Sequence, residues 1–165
     1  MKTFFLTTLN IVLLLCFTIG IQAQTTQTKL NQIELAKQFV GSWTGEIAKD
    51  TILYWDIKSI GTGEECNYKY VTKGKTIIEG KQLWGYVKGI DKYIVAVITE
   101  KPDIEIYAFW FTTTSKYLML QYADITNSEK ASIKYEGEFK SPETFVETFF
   151  MNNKPIKTYG YTRVK

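Results

Sequence analysis

The chain has 165 residues, a formal net charge of +3, 15% aromatic residues and no histidine, and this length fits one domain with its own core. Its lysines are spread along the sequence, which argues against a nucleic-acid partner, and the lack of histidine excludes Ser-His-Asp and Cys-His catalysis and histidine ligands for zinc or haem. We therefore expect no cofactor, and the aromatic excess favours an all-β protein with a large interior.

Residues 1–23 are typical of a cleavable secretion signal. Lys2 supplies a positive start, a largely apolar run follows, and Ala23 is the small residue before the expected cut. The run is short and interrupted for a membrane anchor. We expect export to the periplasm or the extracellular space, with no integral membrane segment after cleavage. Residues 24–29 then form a flexible leader and residues 30–165 the folded domain.

Signal cleavage leaves Cys66 as the one cysteine of the mature chain. An intramolecular disulfide is then excluded, so the core alone holds the domain together. Cys66 lies in an alternating stretch, where a lone buried thiol is expected more often than a reactive one.

One short helix precedes the strands. Asn31 and Glu34 have the spacing of a capping box. Apolar residues recur at helical spacing as far as Val40, and Gly41 is placed to end the helix. The sequence predicts about three turns at most, with an apolar face that covers another part of the protein.

Beyond the helix, apolar and polar residues alternate with the period of β-strands. The breaks between alternating segments are short and rich in turn residues, which predicts an antiparallel meander of hairpins. Such a meander hides its edges by pairing its last strand with its first. We therefore expect an up-and-down antiparallel β-barrel of about 8–10 strands. The predicted strands are 42–48, 51–60, 64–73, 76–87, 92–99, 103–113, 116–124, 131–140, 143–151 and 155–164.

Two of these strands, 92–99 and 103–113, are apolar on both faces. One face of a sheet strand is usually solvated, so this pattern indicates an apolar interior with partial cover outside. The helix or a partner would supply that cover.

Gly41 and Trp43, at the first strand after a short helix, resemble the Gly-x-Trp signature of lipocalins and the wider calycin barrels. Those families carry a basic residue near the last strand that packs over the tryptophan, and Arg163 occupies this position here. The resemblance implies that Gly41, Trp43 and Arg163 close one end of the barrel and contact no ligand. The chain lacks the usual disulfide and long helix of secreted lipocalins, and looks closer to bacterial lipocalin-like domains of unknown function. The pattern is also similar to that of nitrobindins, but their haem-binding histidine is missing.

Glu147 is the most informative candidate for ligand chemistry. It shares one strand face with Phe145 and Phe149, and the pattern leaves open whether that face lies inside or outside. Inside, its carboxyl group would have a raised pKa and could bind an amine or act as an acid.

Several other strand faces combine rings with hydrogen-bonding groups, as cavity linings do. Ordinary core packing accounts for Tyr68 and Tyr70 equally well. The candidate ligand-binding residues are Trp55, Tyr68, Tyr70, Gln82, Trp84, Tyr86, Tyr107, Phe109, Glu147 and Phe149.

The sequence leads to three functional hypotheses. The first is an exported, non-catalytic barrel that binds a small apolar or amphipathic molecule. The second is a structural or interaction module with a filled barrel, whose doubly apolar strands 92–99 and 103–113 form a partner or homo-oligomer surface. The third is a carboxylate-dependent isomerase or lyase that uses Glu147, a tyrosine or a lysine. The sequence has no cluster with metal-ligand spacing, so we expect no metal.

Overall fold

Ten antiparallel strands follow one another around a closed barrel, and the last strand pairs with the first. The computed structural model describes residues 29–165, and it confirms the predicted all-β, up-and-down architecture. The closing pair places Trp43 of the first strand opposite Arg163 of the last. The predicted signal segment 1–23, and residues 24–28 of the predicted leader, lie outside the described residues.

Each predicted strand is present, with ends that differ from the prediction by a few residues at most. A short helix, α1, precedes them at Gln32–Ala36 and continues into a 3₁₀ turn at Lys37–Phe39. The strands are β1 (Gly41–Ala48), β2 (Thr51–Ile60), β3 (Gly63–Thr72), β4 (Lys75–Val87), β5 (Lys92–Thr99), β6 (Glu105–Phe111), β7 (Lys116–Gln121), β8 (Ile133–Ser141), β9 (Thr144–Met151) and β10 (Lys154–Arg163).

The start of α1 follows the predicted cap in part. The Asn31 side chain accepts a hydrogen bond from the Glu34 backbone N–H at 3.2 Å. The Glu34 carboxylate does not return to the cap, because it pairs with Lys37 at 2.7 Å. The helical segment ends at Phe39 with Val40 as its C-terminal cap, and Gly41 follows at the predicted position with a φ of 123° and begins β1.

Part of the outer cover of the barrel comes from a connection between strands that the sequence did not indicate. β7 ends earlier than predicted, and the connection to β8 forms 3₁₀ turns at Tyr122–Asp124 and Ser128–Lys130. The first of these turns contacts β6. Ala108 and Leu120, which point outward from β6 and β7, are fully buried. The β7–β8 connection therefore contributes the cover that the apolar outer face of β6 requires.

One end of the barrel is filled by rings from the 3₁₀ turn after α1 and from the strands, a set that we call the aromatic plug. Phe39 lies at its centre, with ring centroids of Phe139 at 4.8 Å and Tyr117 at 5.1 Å. The Gln32 amide holds the helix against β6 through hydrogen bonds of 3.0 and 2.7 Å to the Phe111 backbone. The aromatic plug comprises Phe39, Trp43, Trp84, Phe109, Phe111, Tyr117, Phe139 and Phe145.

Gly137 gives a direct test of how tightly this end is packed. It pairs with Tyr117 across β8 and β7, and a Cβ added at Gly137 would lie 1.9 Å from Cζ of the Tyr117 ring. We expect Gly137→Ala to lower the free energy of unfolding by about 1–3 kcal/mol through overpacking. Gly160→Ala is the matched control, because no atom lies within 4 Å of its added Cβ. Equal urea-unfolding midpoints for the two variants would contradict this packing.

Candidate functional site

Between the aromatic plug and the opposite end of the barrel lies a cavity of about 440 Å³. This volume falls within the range of roughly 300–1,000 Å³ that small-molecule sites occupy. The half of the barrel near α1 is filled with rings, and the other half is open space lined by inward-facing side chains. The interior is therefore divided into two layers, and its open space lies in the second.

The structure brings six of the ten candidate ligand-binding residues to this cavity. Glu147 is among them, which resolves the open question about its strand face: it points inward and is 5% exposed. The six are Trp55, Tyr68, Tyr70, Gln82, Tyr107 and Glu147.

The other four candidates do not line the cavity. Trp84 and Phe109 are buried in the aromatic plug, and Tyr86 lies near the closed end, where its hydroxyl donates to Asp91. Phe149 packs against Tyr135, a cavity residue, with ring centroids 5.1 Å apart. Alternation along a strand shows which side chains point inward, but it does not show how far along the barrel axis each one lies.

Sequence reasoning missed several lining residues that share inward faces with predicted ones. Tyr159 and Tyr161 precede Arg163 at intervals of two residues in β10. This spacing places all three on one face of the strand, so the sequence could have identified both tyrosines. The lining residues that were missed include Leu53, Val95, Val97, Met119, Tyr135, Tyr159 and Tyr161.

Glu147 lies at the floor of the cavity, where it meets the aromatic plug. The preceding inward residue of β9, Phe145, is fully buried against Trp43 at 5.0 Å. The Tyr117 hydroxyl donates a hydrogen bond of 2.8 Å to Oε1 of Glu147. Burial raises the pKa of Glu147 to about 7, and the hydrogen bond from Tyr117 acts in the opposite direction. Its carboxyl group therefore changes charge near neutral pH.

Tyrosine side chains surround this carboxyl group. Burial, and then the negative charge of Glu147, raise the pKa of four tyrosines that line the cavity. The phenols therefore stay neutral at physiological pH, and they offer hydroxyl groups and ring faces to the cavity. They are Tyr70, Tyr135, Tyr159 and Tyr161.

Gly41, Trp43 and Arg163 meet at the closed end of the barrel. The Arg163 guanidinium lies 4.2 Å from the centre of the Trp43 ring and donates to the Val40 carbonyl. Trp43 is 1% exposed, and its indole N–H donates to the Phe39 carbonyl at 2.7 Å. At Gly41, where φ is 123°, an added Cβ would lie 2.4 Å from a guanidinium nitrogen. None of the three residues lines the cavity.

A second buried carboxyl group, Glu64, was not singled out from the sequence. It is 3% exposed, and its Oε2 has no hydrogen-bond partner among residues 29–165. Burial raises its pKa to about 7, against an opposing effect of the Lys37 charge. It shares the inward face of β3 with Cys66, a buried thiol whose pKa burial raises to about 12. The prediction that the Cys66 thiol is buried is confirmed.

The described residues carry few other markers of function. Between residues 29 and 165, no group of three or more acidic or cysteine side chains is arranged to hold a metal ion. No helix in that part of the chain has the length and apolar character of a membrane span. Comparison of the chain with protein-family models and with curated proteins finds no match.

Proposed function

We propose that the barrel binds a small apolar or amphipathic molecule in its cavity, without covalent change to that molecule. The observation that carries the proposal is the open space of about 440 Å³ with aromatic and aliphatic walls and one buried carboxyl group. Apolar ligand surface buried there would stabilise the complex by about 25 cal/mol per Å². The polar groups of the lining would orient the ligand.

The contrast between the two ends of the barrel supports this proposal. Protein interiors leave few voids larger than a water molecule. The chain meets that standard at the aromatic plug, where Phe39 packs against six other rings. Side chains that could fill the other half, such as Tyr135 and Tyr159, instead line its walls. The barrel thus keeps an open cavity next to a densely packed layer of rings. A protein that binds a small molecule in its interior requires such a cavity.

Filling the cavity tests this function. Val97 lines the cavity and Ile94 points outward on the same strand. We expect Val97→Trp to weaken binding of the neutral probe N-phenyl-1-naphthylamine by about tenfold or more, because the indole occupies ligand space. Ile94→Trp should bind the probe as the unchanged protein does. Probe fluorescence titrations measure both affinities, and failure of the unchanged protein to bind, or equal affinity of the two variants, would contradict the proposal.

We also propose that the protein is exported and that it is related to lipocalin-type barrels. A mature protein that begins at Gln24, read from its intact mass after expression in a secreting host, would support removal of residues 1–23. The resemblance to lipocalin-type barrels is supported by Arg163, which stacks on Trp43 and leaves no room for a side chain at Gly41.

A second candidate function is self-association through the outer face of β4–β6. Leu83 and Ile106 flank Ala96 across these strands and are 45% and 39% exposed. Ile98, on the same face of β5, is 42% exposed. Contiguous apolar surface of this kind marks interaction sites. Sedimentation velocity at several concentrations tests the idea: Leu83→Asp should abolish any dimer, and a strictly monomeric protein would contradict it.

A further inference from the structure

Glu147 has hydrogen-bonding capacity that the protein itself does not use. Within residues 29–165, its only hydrogen bond comes from the Tyr117 hydroxyl, and no lysine or arginine forms a salt bridge with it. An ionised carboxylate offers about four lone-pair sites. Glu147 lines the cavity, so its remaining sites are available to a ligand there.

The rings around Glu147 suit a positively charged ligand group. Tyr70, Tyr135, Tyr159 and Tyr161 all line the cavity and all sense the charge of this carboxylate. Aromatic ring faces attract cations within about 6 Å of the ring centre, and cages of such rings bind alkylammonium groups. A carboxylate surrounded by tyrosines combines both attractions at one place.

The other charged groups of the cavity lining carry a net negative charge, which also favours a cationic ligand. They are two carboxylates, Glu100 and Glu105, and one ammonium group, Lys101. The Tyr107 hydroxyl donates to Glu105 at 2.6 Å, which holds that carboxylate at the cavity wall. With Glu147 ionised, the lining carries three negative charges and one positive charge, so it attracts cations and repels carboxylate ligands.

The rest of the cavity wall is apolar, and it indicates that the ligand has an apolar body beside its charged group. Leu53, Val95, Val97 and Met119 present aliphatic or thioether surface, and Trp55 adds an indole. A small hydrated cation would leave this surface without a partner, whereas an amine with an apolar body would cover it.

We propose that the cavity takes an amphipathic monoamine, with its ammonium group between Glu147 and the tyrosine rings and its apolar body against the aliphatic wall. The inference rests on the proposed binding function of the cavity and names its ligand class. The ammonium donates hydrogen bonds to the free positions of the Glu147 carboxylate. The body extends from the floor toward the open end of the barrel.

Three probes with the same alkyl chain test the head group: octylamine, octanol and octanoate, measured by calorimetric titration of the full domain at pH 8. We expect octylamine to bind about tenfold or more tightly than octanol, and octanoate to bind most weakly. Equal or tighter binding of octanoate would overturn the proposal. If octanol binds but octylamine has no advantage, the amine assignment fails and the binding function stands. If none of the probes binds, both fail.

Glu147→Gln tests the position of the head group. It should weaken octylamine binding by about tenfold or more and change octanol binding by less than about threefold. Unchanged octanol binding would show that the variant is folded and that its cavity is intact. Glu105→Gln makes the same chemical change at another wall position, and we expect it to weaken octylamine binding less than Glu147→Gln does, because Glu105 lies on the wall and not at the floor. A larger effect of Glu105→Gln than of Glu147→Gln would overturn the assignment to the floor.

The pH dependence of octylamine affinity provides a separate readout. Burial raises the pKa of Glu147 to about 7, so the carboxyl group must lose a proton before it receives a cation at pH 5. Between pH 8 and pH 5 the affinity should fall by up to about 100-fold, while octanol affinity stays level. In Glu147→Gln this fall should largely disappear, and an unchanged fall would contradict the proposal. The titratable groups that face Glu147 or share its cavity are Tyr68, Tyr70, Tyr117, Tyr135, Tyr159, Tyr161, Glu100, Lys101, Glu105 and Tyr107.

Discussion

Trp43→Ala should lower the free energy of unfolding by about 3–5 kcal/mol, the usual cost of truncating a buried tryptophan. The indole is 1% exposed and packs against Phe145 at 5.0 Å. It also supports the Arg163 guanidinium and donates to the Phe39 carbonyl. Its loss would therefore leave a hole and remove the contacts that join β1, β10 and the helical segment. Native domains are stable by about 5–15 kcal/mol, so this is a large share of the total.

Trp110→Ala is the matched control for this result. Trp110 points outward from β6, where Lys92 lies 3.7 Å from its ring centre. Both residues are half-buried, and loss of this cation–π contact should cost about 1–2 kcal/mol. Urea unfolding of the two variants compares the costs directly, after far-UV circular dichroism has shown that both are folded. Similar losses for the two tryptophans would contradict the role assigned to Trp43 at the closed end.

Stability should fall as pH rises from 5 to 8, the reverse of what paired surface carboxylates produce. Burial raises the pKa of Glu64 and of Glu147 from the ordinary value of 4.5 to about 7. Between these values the folded state holds protons that the unfolded state has released, so the free energy of unfolding decreases with pH. Each carboxyl group should account for a loss of roughly 2–3 kcal/mol across this interval.

Other titrating groups act outside this pH window. The chain has no histidine, and the buried tyrosines have a raised pKa, so their contribution to stability is lost only above about pH 10. Four carboxylates with a lowered pKa each accept a hydrogen bond from a neighbouring lysine or tyrosine, and their contribution is lost only as pH falls below about 4. They are Asp56, Glu65, Asp91 and Glu138.

Urea unfolding at pH 5, 6, 7 and 8 measures the effect, with Glu64→Gln and Glu147→Gln as variants that cannot titrate. Each single variant should lose about half of the pH dependence, and the double variant nearly all of it. Stability that rises from pH 5 to 8, or variants that keep the full dependence, would contradict the buried state of these two carboxyl groups.

The fold followed from the sequence because an up-and-down barrel is specified by local signals. Alternation determines strand faces, and turn residues such as Gly61 and Asn153, both with positive φ, mark hairpins. The closing pair of Trp43 and Arg163 was the one long-range contact inferred, and a family resemblance supplied it. The inward position of Trp55 and Gln82 followed from the same alternation.

The sequence did not reveal properties that depend on position along the barrel axis. Trp84 and Gln82 lie two residues apart on one face of β4, yet the first packs in the aromatic plug and the second lines the cavity. The boundary depends on how deeply Phe39 enters the barrel. A helical segment of three turns or fewer does not encode that depth locally. The burial of Glu64 and the close approach of Tyr117 to Gly137 depend on packing across strands, so they also required the structure.

Nuclear magnetic resonance of methyl-labelled protein with octanol locates a bound ligand without relying on its head group. Ligand-to-protein Overhauser contacts should reach the methyl groups of Val97 and Met119, which line the cavity, and should miss those of Leu83 and Ile98 on the outer face. Contacts confined to Leu83 and Ile98 would place the ligand on the outside of the barrel and contradict binding in the cavity.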